Sequence, residues 1–316
     1  MTRDRLSIAA VAGLAWRPRR PDADRLGALT GVLALGLWAG VMMSDTANRG
    51  ERAAGQARTS ADGSEIAAAP EWMTGPYFGM PYTHPSDMRF LKEGKTDLTV
   101  HDINWDGKPF KSPIYYGVRS VRWSGPHGAM VDFTHSKTIS QPGQTVRFSG
   151  TRDGKPAPGP ATIGDTFKHL EFSHGHNTLT LNGLMRLGRL GPSLSPYVGG
   201  GFGVAFPHTE IQFKDEAKRT YEYQYAGPAG QAVAGIEIRL PRVTLFVEYK
   251  FTLARMSAPL TGIDSRGWGY GDVPAQLMRW LRGEKPEQGV ATTTLASHQV
   301  VGGFGIRSIA PELPAR

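Results

Sequence analysis

From Thr178 to Leu187 apolar and polar positions alternate along the chain. Leu179, Leu181, Gly183, Met185 and Leu187 share one side, and Thr178, Thr180, Asn182 and Arg186 share the other, with Leu184 as the exception. A period of two is that of a strand with one apolar face. The pattern recurs over 243–253, where Leu245, Val247, Tyr249, Phe251 and Leu253 oppose Glu248, Lys250 and Thr252, which share their side with Phe246. It recurs again where Val131 and Phe133 oppose Asp132 and Thr134, and where Ala232, Ala234, Ile236 and Ile238 oppose Gln231, Glu237 and Arg239. Eight such stretches lie beyond Trp72: 74–91, 113–124, 128–140, 172–188, 194–210, 220–240, 243–260 and 292–309. Against them stands one short helical pattern, VPAQLMRWLRG at 273–283.

The connections alternate in length. SGPHG (124–128), GRLGPS (188–193) and LPR (240–242) are short, whereas 92–112, 141–171, 211–219 and 261–291 are long. Short turns at one end and long loops at the other, with an even strand count, predict an all-β protein. Its expected form is an eight-stranded antiparallel up-and-down transmembrane β-barrel, with short periplasmic turns and long outer loops. A barrel this narrow is filled by side chains rather than open as a wide pore. Apolar-out, charged-in alternation therefore predicts that Glu248, Lys250, Glu237, Arg239, Arg186 and Asp132 pair with one another inside. A soluble ligand-binding barrel would reverse the faces, and alternation does not distinguish the two.

The N-terminus favours the membrane version. Arg17, Arg19, Arg20 and Arg25 precede the uncharged run LGALTGVLALGLWAGVMMS at 26–44. A positive flank before an apolar core is the layout of an export signal, with Ala47 as a cleavage candidate; the run is also long enough for an uncleaved anchor. Both readings export the remainder of the chain, and the destination expected is the Gram-negative outer membrane. The segments expected are a signal or anchor at 1–47, a disordered Ala/Gly/Arg/Ser linker at 48–71, the barrel at 72–309 and a tail at 310–316. There is no cysteine among the 316 residues, which excludes disulfides, thiolate metal sites and a thiol nucleophile. The net charge of +8 is spread along the chain with no nucleic-acid motif, and it suits a bilayer surface of anionic head groups.

The topology sorts the nine histidines. His127 falls in a periplasmic turn and His298 within the last strand; His84, His101, His135, His169, His174, His176 and His208 fall at outer strand ends or in outer loops. His135 is in phase with Val131 and Phe133, Asn177 with Leu179, and His208 and Glu210 with Val204 and Phe206. Glu222 and Gln224 continue the phase of Ala232 and Ala234. All are then expected on the lipid-side face, at the height of the outer head groups. Amphipathic residues collect at such interfaces without any chemical role. Histidine and carboxylate on adjacent strands also suit a divalent cation or an acid–base pair.

Several phrases resemble the lipid A oxidase family of outer-membrane proteins: MVDFTHSK (130–137), FSHGHNTLTLNGLMRL (172–187), SPYVGGGFGVAFPHTEI (195–211) and YEYQYAGPAGQAVAGIEIRL (221–240). INWDGKPFKSPIYYGVRSVRW (103–123) and LFVEYKFT (245–252) extend the likeness over about 74 to 309. That resemblance implies an eight-stranded barrel acting on lipid A, or the lipopolysaccharide that carries it, in the outer leaflet. It implies oxidation of the proximal glucosamine to 2-aminogluconate by molecular oxygen, with release of hydrogen peroxide. By motif position it points to Asp132, His135, His176, His208 and Glu210 as catalytic. Asn177, Glu222 and Gln224 would then contact substrate.

No dinucleotide fingerprint is present to hold flavin or nicotinamide. A redox metal is the simplest mediator of such an oxidation, with His135, His176 and His208 as its candidate ligands. Two other functions compete. One is a non-enzymatic barrel whose loops 141–171 and 261–291 bind a surface ligand. The other is a deacylase using Ser136 or Ser173, around which no nucleophile motif is found.

Overall fold

A computed structural model describes residues 70–265 and 271–309. The expectations for 1–47, for most of 48–71 and for 310–316 lie outside these residues. Eight strands carry the fold: β1 (Glu71–Thr83), β5 (Tyr116–Ser124), β6 (His127–Ser140), β10 (Phe167–Arg186), β11 (Leu194–Ala205), β14 (Gly227–Arg239), β15 (Val243–Leu260) and β16 (Gly289–Ile309). Each pairs antiparallel with the next, and β1 pairs with both β5 and β16, so the ring closes. The remaining strands are β2 (Ser86–Lys92), β3 (Thr96–Ile103), β4 (Trp105–Asp106), β7 (Thr145–Arg152), β8 (Lys155–Pro156), β9 (Pro160–Thr162), β12 (His208–Phe213) and β13 (Thr220–Tyr223). Two helices complete the described chain, α1 (Ile163–Thr166) and α2 (Asp272–Leu281). The second is the one helix that the sequence pattern predicts.

The outward face is that of a transmembrane barrel. Trp72, Phe78, Met80, Val118, Val131, Leu179, Leu181, Met185, Phe202, Ile236, Leu245, Val247, Leu253, Val300, Phe304 and Ile306 are all exposed around the ring. So continuous an apolar belt is stable only against lipid. Inside, Lys250 holds Asp132 and donates to the Tyr77 hydroxyl at 2.6 Å. Arg119 grips Glu248 with two hydrogen bonds at 3.0 and 2.6 Å, and the Tyr197 hydroxyl adds a third to that carboxylate at 2.8 Å. Nearer the short turns, Glu71 takes Arg239 at 2.7 Å and Arg307 at 2.6 Å, while Arg186 pairs with Glu237 at 2.9 Å. Every interior charge read from the alternation is therefore inside and paired. Arg119, Glu71 and Arg307 join them. The packing is close: a Cβ on Gly117 would lie 1.9 Å from the Tyr77 ring.

Above the belt the faces invert. Met88, Phe90, Leu98, Val100, Phe148, Phe167, Phe172 and Phe213 form one buried apolar cluster inside the outer part of the sheet. The stretch read as one strand over 74–91 is two, β1 and β2, and β2 leaves β1 to pair with the outer end of β16. The long loops 92–112 and 141–171 then supply β3 and β7, which extend the sheet from β2. A water-facing sheet needs an apolar interior, whereas the membrane ring needs an apolar exterior. The same strands must satisfy both.

Candidate functional site

β10 crosses this inversion. Leu170 and Phe172 point into the outer apolar core, whereas Leu179 and Leu181 lie on the lipid face and Thr178, Thr180 and Asn182 turn into the lumen. Between them the register against β6 shifts from Phe172 to His176. Gly175, at φ +140, supplies a backbone conformation closed to side-chain-bearing residues, and an added Cβ would strike the Asn177 amide. The two histidines that flank this glycine mark the point where the strand changes from membrane to water rules.

Around this bulge polar groups gather. His135 on β6 and Asn177 on β10 are register partners. The Asn177 amide nitrogen donates to the Phe206 carbonyl at 3.3 Å, so its oxygen faces His135 Nδ1 at 2.9 Å. An amide oxygen only accepts, so Nδ1 of His135 carries the proton and Nε2 carries the lone pair. Nε2 is buried and has no hydrogen-bond partner among the described residues. The Tyr116 ring stacks on the imidazole at 4.8 Å. His176 is buried with neither ring nitrogen partnered, and His208 is buried with Nδ1 unpartnered. So many unsatisfied buried nitrogens are costly and uncommon, and they accumulate where a ligand or a reaction needs them.

β12 replaces β11 as the partner of β10 above the belt, and it brings His208 and Glu210 to the same face. The His208 ring meets Tyr221 at 4.3 Å and Tyr223 at 4.6 Å, both edge-on. Burial, with the neighbouring His174, pushes the His208 imidazole down to about 4, so it is neutral at ordinary pH. His174 links the group, 5.1 Å from His208 between ring centres, with Nδ1 4.0 Å from Glu210. Glu210 takes the Arg219 guanidinium at 2.7 Å and the Ser173 hydroxyl at 3.2 Å. Ser173 thus donates to the Glu210 carboxylate, and its hydroxyl oxygen also lies 3.4 Å from His174 Nδ1. Glu171 stands directly opposite Glu210, and burial together with that facing carboxylate pushes its own carboxyl up.

Of the residues singled out in the sequence, His135, Asn177, His176, His208 and Glu210 come together at this rim. Three do not. Asp132 is deep in the lumen with Lys250 and Gln231. Glu222 pairs across β13 and β12 with Thr209, on the opposite face from His208 and Glu210, and is held by Arg279 and Thr261. Gln224 lies two residues on, donating to Glu222 and to the Pro259 carbonyl. Nor do His135, His176 and His208 form a convergent ligand set. Among the described residues the set that converges is His169, Glu171 and Glu210. Glu171 and Lys137 are chain neighbours of His169 and His135, whereas only the fold brings Lys108 and Lys111 to Lys137.

No family model and no curated protein matches the chain. Among solved structures, it is similar to Neisserial surface protein A, at 7% identity and TM-score 0.34 over 75% of this chain and 96% of that one. It is also similar to Ail, the attachment invasion locus protein of Yersinia pestis, solved with the heparin analogue sucrose octasulfate, at 8% identity and TM-score 0.29 over 77% and 100%. The outer membrane protease OmpT of Escherichia coli compares at 8% identity and TM-score 0.35 over 77% and 98%. At these scores the likeness adds nothing to the strand pairing that already closes the ring.

Proposed function

We propose that this outer-membrane barrel is a lipid A oxidase, which turns the proximal glucosamine of lipid A into 2-aminogluconate in the outer leaflet. The observation that carries the reading is the unpartnered, buried Nε2 of His135, its lone pair fixed by Asn177, on the outward face just above the lipid belt. A sugar linked to acyl chains held in the leaflet reaches that height. The wall there is lined with Tyr116, Tyr221 and Tyr223, which suit a sugar ring, and the basic Lys108, Lys111 and Lys137 lie beside it.

The reaction asks for a base on the anomeric hydroxyl. His135 Nε2 takes that proton. The C1–H bond breaks, and two electrons and two protons in total pass to molecular oxygen, giving hydrogen peroxide. C1 becomes the carbonyl of a lactone, and water opens it to the acid.

The test is mass spectrometry of lipid A from a host that lacks this modification and supplies lipid A with a free anomeric hydroxyl. Expression of the chain should add one oxygen to lipid A in air and not under nitrogen. His135→Ala should abolish the change while the barrel keeps its heat-modifiable mobility on a gel. Unmodified lipid A beside a folded barrel overturns the reading in favour of a barrel that only binds surface ligands.

A further inference from the structure

We propose that His169, Glu171 and Glu210 bind a divalent transition-metal ion at the outer rim, as part of the oxidase site proposed above. Glu171 and Glu210 are directly opposed on β10 and β12, and His169 lies two residues along the same face. His169 Nδ1 is 3.5 Å from a Glu171 oxygen and 3.4 Å from a Glu210 oxygen. One ligand atom from each of the three residues falls within 4.8 Å of the others.

Two carboxylates directly across a strand pair repel each other and need compensation. The compensation present is incomplete. Arg219 is shared between Glu210 and Asp264, and Glu171 has only the His169 ring within ion-pair distance among the described residues. Lys108 and Lys137 act on Glu171 from beyond that distance. A second, independent sign lies on the same face: His208, two residues before Glu210 and nine-tenths or more buried, has its Nδ1 unpartnered. His174 bridges the two, with Nδ1 4.0 Å from Glu210 and its ring against His208.

One imidazole and two carboxylates suit manganese(II), iron(II) or zinc(II) better than calcium, which takes six to eight oxygens. Three protein ligands leave open positions for a substrate hydroxyl. The expected ligands thus differ from a His135–His176–His208 set, and the unpartnered Nε2 of His135 is left as a base.

The full-length barrel, folded in detergent and stripped with chelator, is titrated with Mn2+ under nitrogen. Binding is followed by calorimetry and by loss of the free-ion paramagnetic signal. One equivalent per chain is expected. Glu171→Gln and His169→Ala should each weaken it by more than about tenfold, while His135→Ala should keep it; heat-modifiable mobility reports folding in every variant. Absence of stoichiometric binding, or binding unchanged in both ligand variants, overturns the inference. The lipid A assay separates the two proposals. Stoichiometric Mn2+ lost in Glu171→Gln beside unmodified lipid A leaves the metal site standing and removes the oxidase. Oxidised lipid A from a chelator-treated, metal-free barrel does the reverse.

Discussion

The Asn177 amide oxygen accepts the Nδ1 proton of His135 across the β6–β10 ladder at 2.9 Å. That one contact settles which imidazole nitrogen is available for chemistry. In the proposed oxidase Asn177 is a positioning residue, acting through His135. Asn177→Ala should lower kcat for lipid A oxidation by about 10–100-fold with little change in KM, because the base loses its orientation. Asn177→Asp should recover part of that loss, since a carboxylate oxygen also accepts the proton. Equal losses in both variants would reduce Asn177 to a packing residue.

His208 lies between Tyr221 and Tyr223 with its Nδ1 unpartnered. His208→Ala is expected to abolish turnover and to leave heat-modifiable mobility intact. Normal turnover in this variant would remove His208 from the site.

Lys250 and Asp132 are the pair at the centre of the bore. Lys250→Met leaves the Asp132 carboxylate buried without its ammonium and should cost about 3–5 kcal/mol in urea unfolding of the lipid-embedded barrel. The double change Lys250→Met with Asp132→Leu should restore most of that stability, since no lone charge is left behind. A double mutant as unstable as the single one would contradict this account.

Gly117 gives the Tyr77 ring its space. Gly117→Ala drives a methyl into that ring and should destabilise the barrel by about 1–3 kcal/mol. Tyr77→Leu in the same chain should relieve the clash and make the alanine nearly neutral relative to Tyr77→Leu alone. The unfolding midpoints of the four variants form the check.

The membrane ring was legible in the sequence because lipid and lumen impose opposite demands on alternate residues. Over 243–253 that contrast is nearly unbroken, and β15 emerges with its charges inside. The outer extension was not legible for the same physical reason. Above the belt the interior becomes apolar, so the pattern that marks a face below marks the opposite one above. The outward phase of Val204 and Phe206 continues through Pro207 to His208 and Glu210, opposite the buried Ile211 and Phe213. The phase does not continue from Ala232 back to Glu222, because the chain breaks at 224–226 and restarts at Gly227 with φ +146. Glu222 and Gln224 therefore turn to the face of Thr209, away from His208. The His169–Glu171–Glu210 group depends on the β10–β12 register, and no spacing along the chain reports a register between distant strands.

The filled bore makes the wall of this protein one-sided in its traffic. Lys250, Asp132, Arg119 and Glu248 are all fully buried and locked to one another across the lumen. The histidine rim stands on the far side of that plug from the short turns. If the rim carries the proposed oxidase, hydrogen peroxide formed there is released on the far side of this plug from the short turns, with no route through the bore.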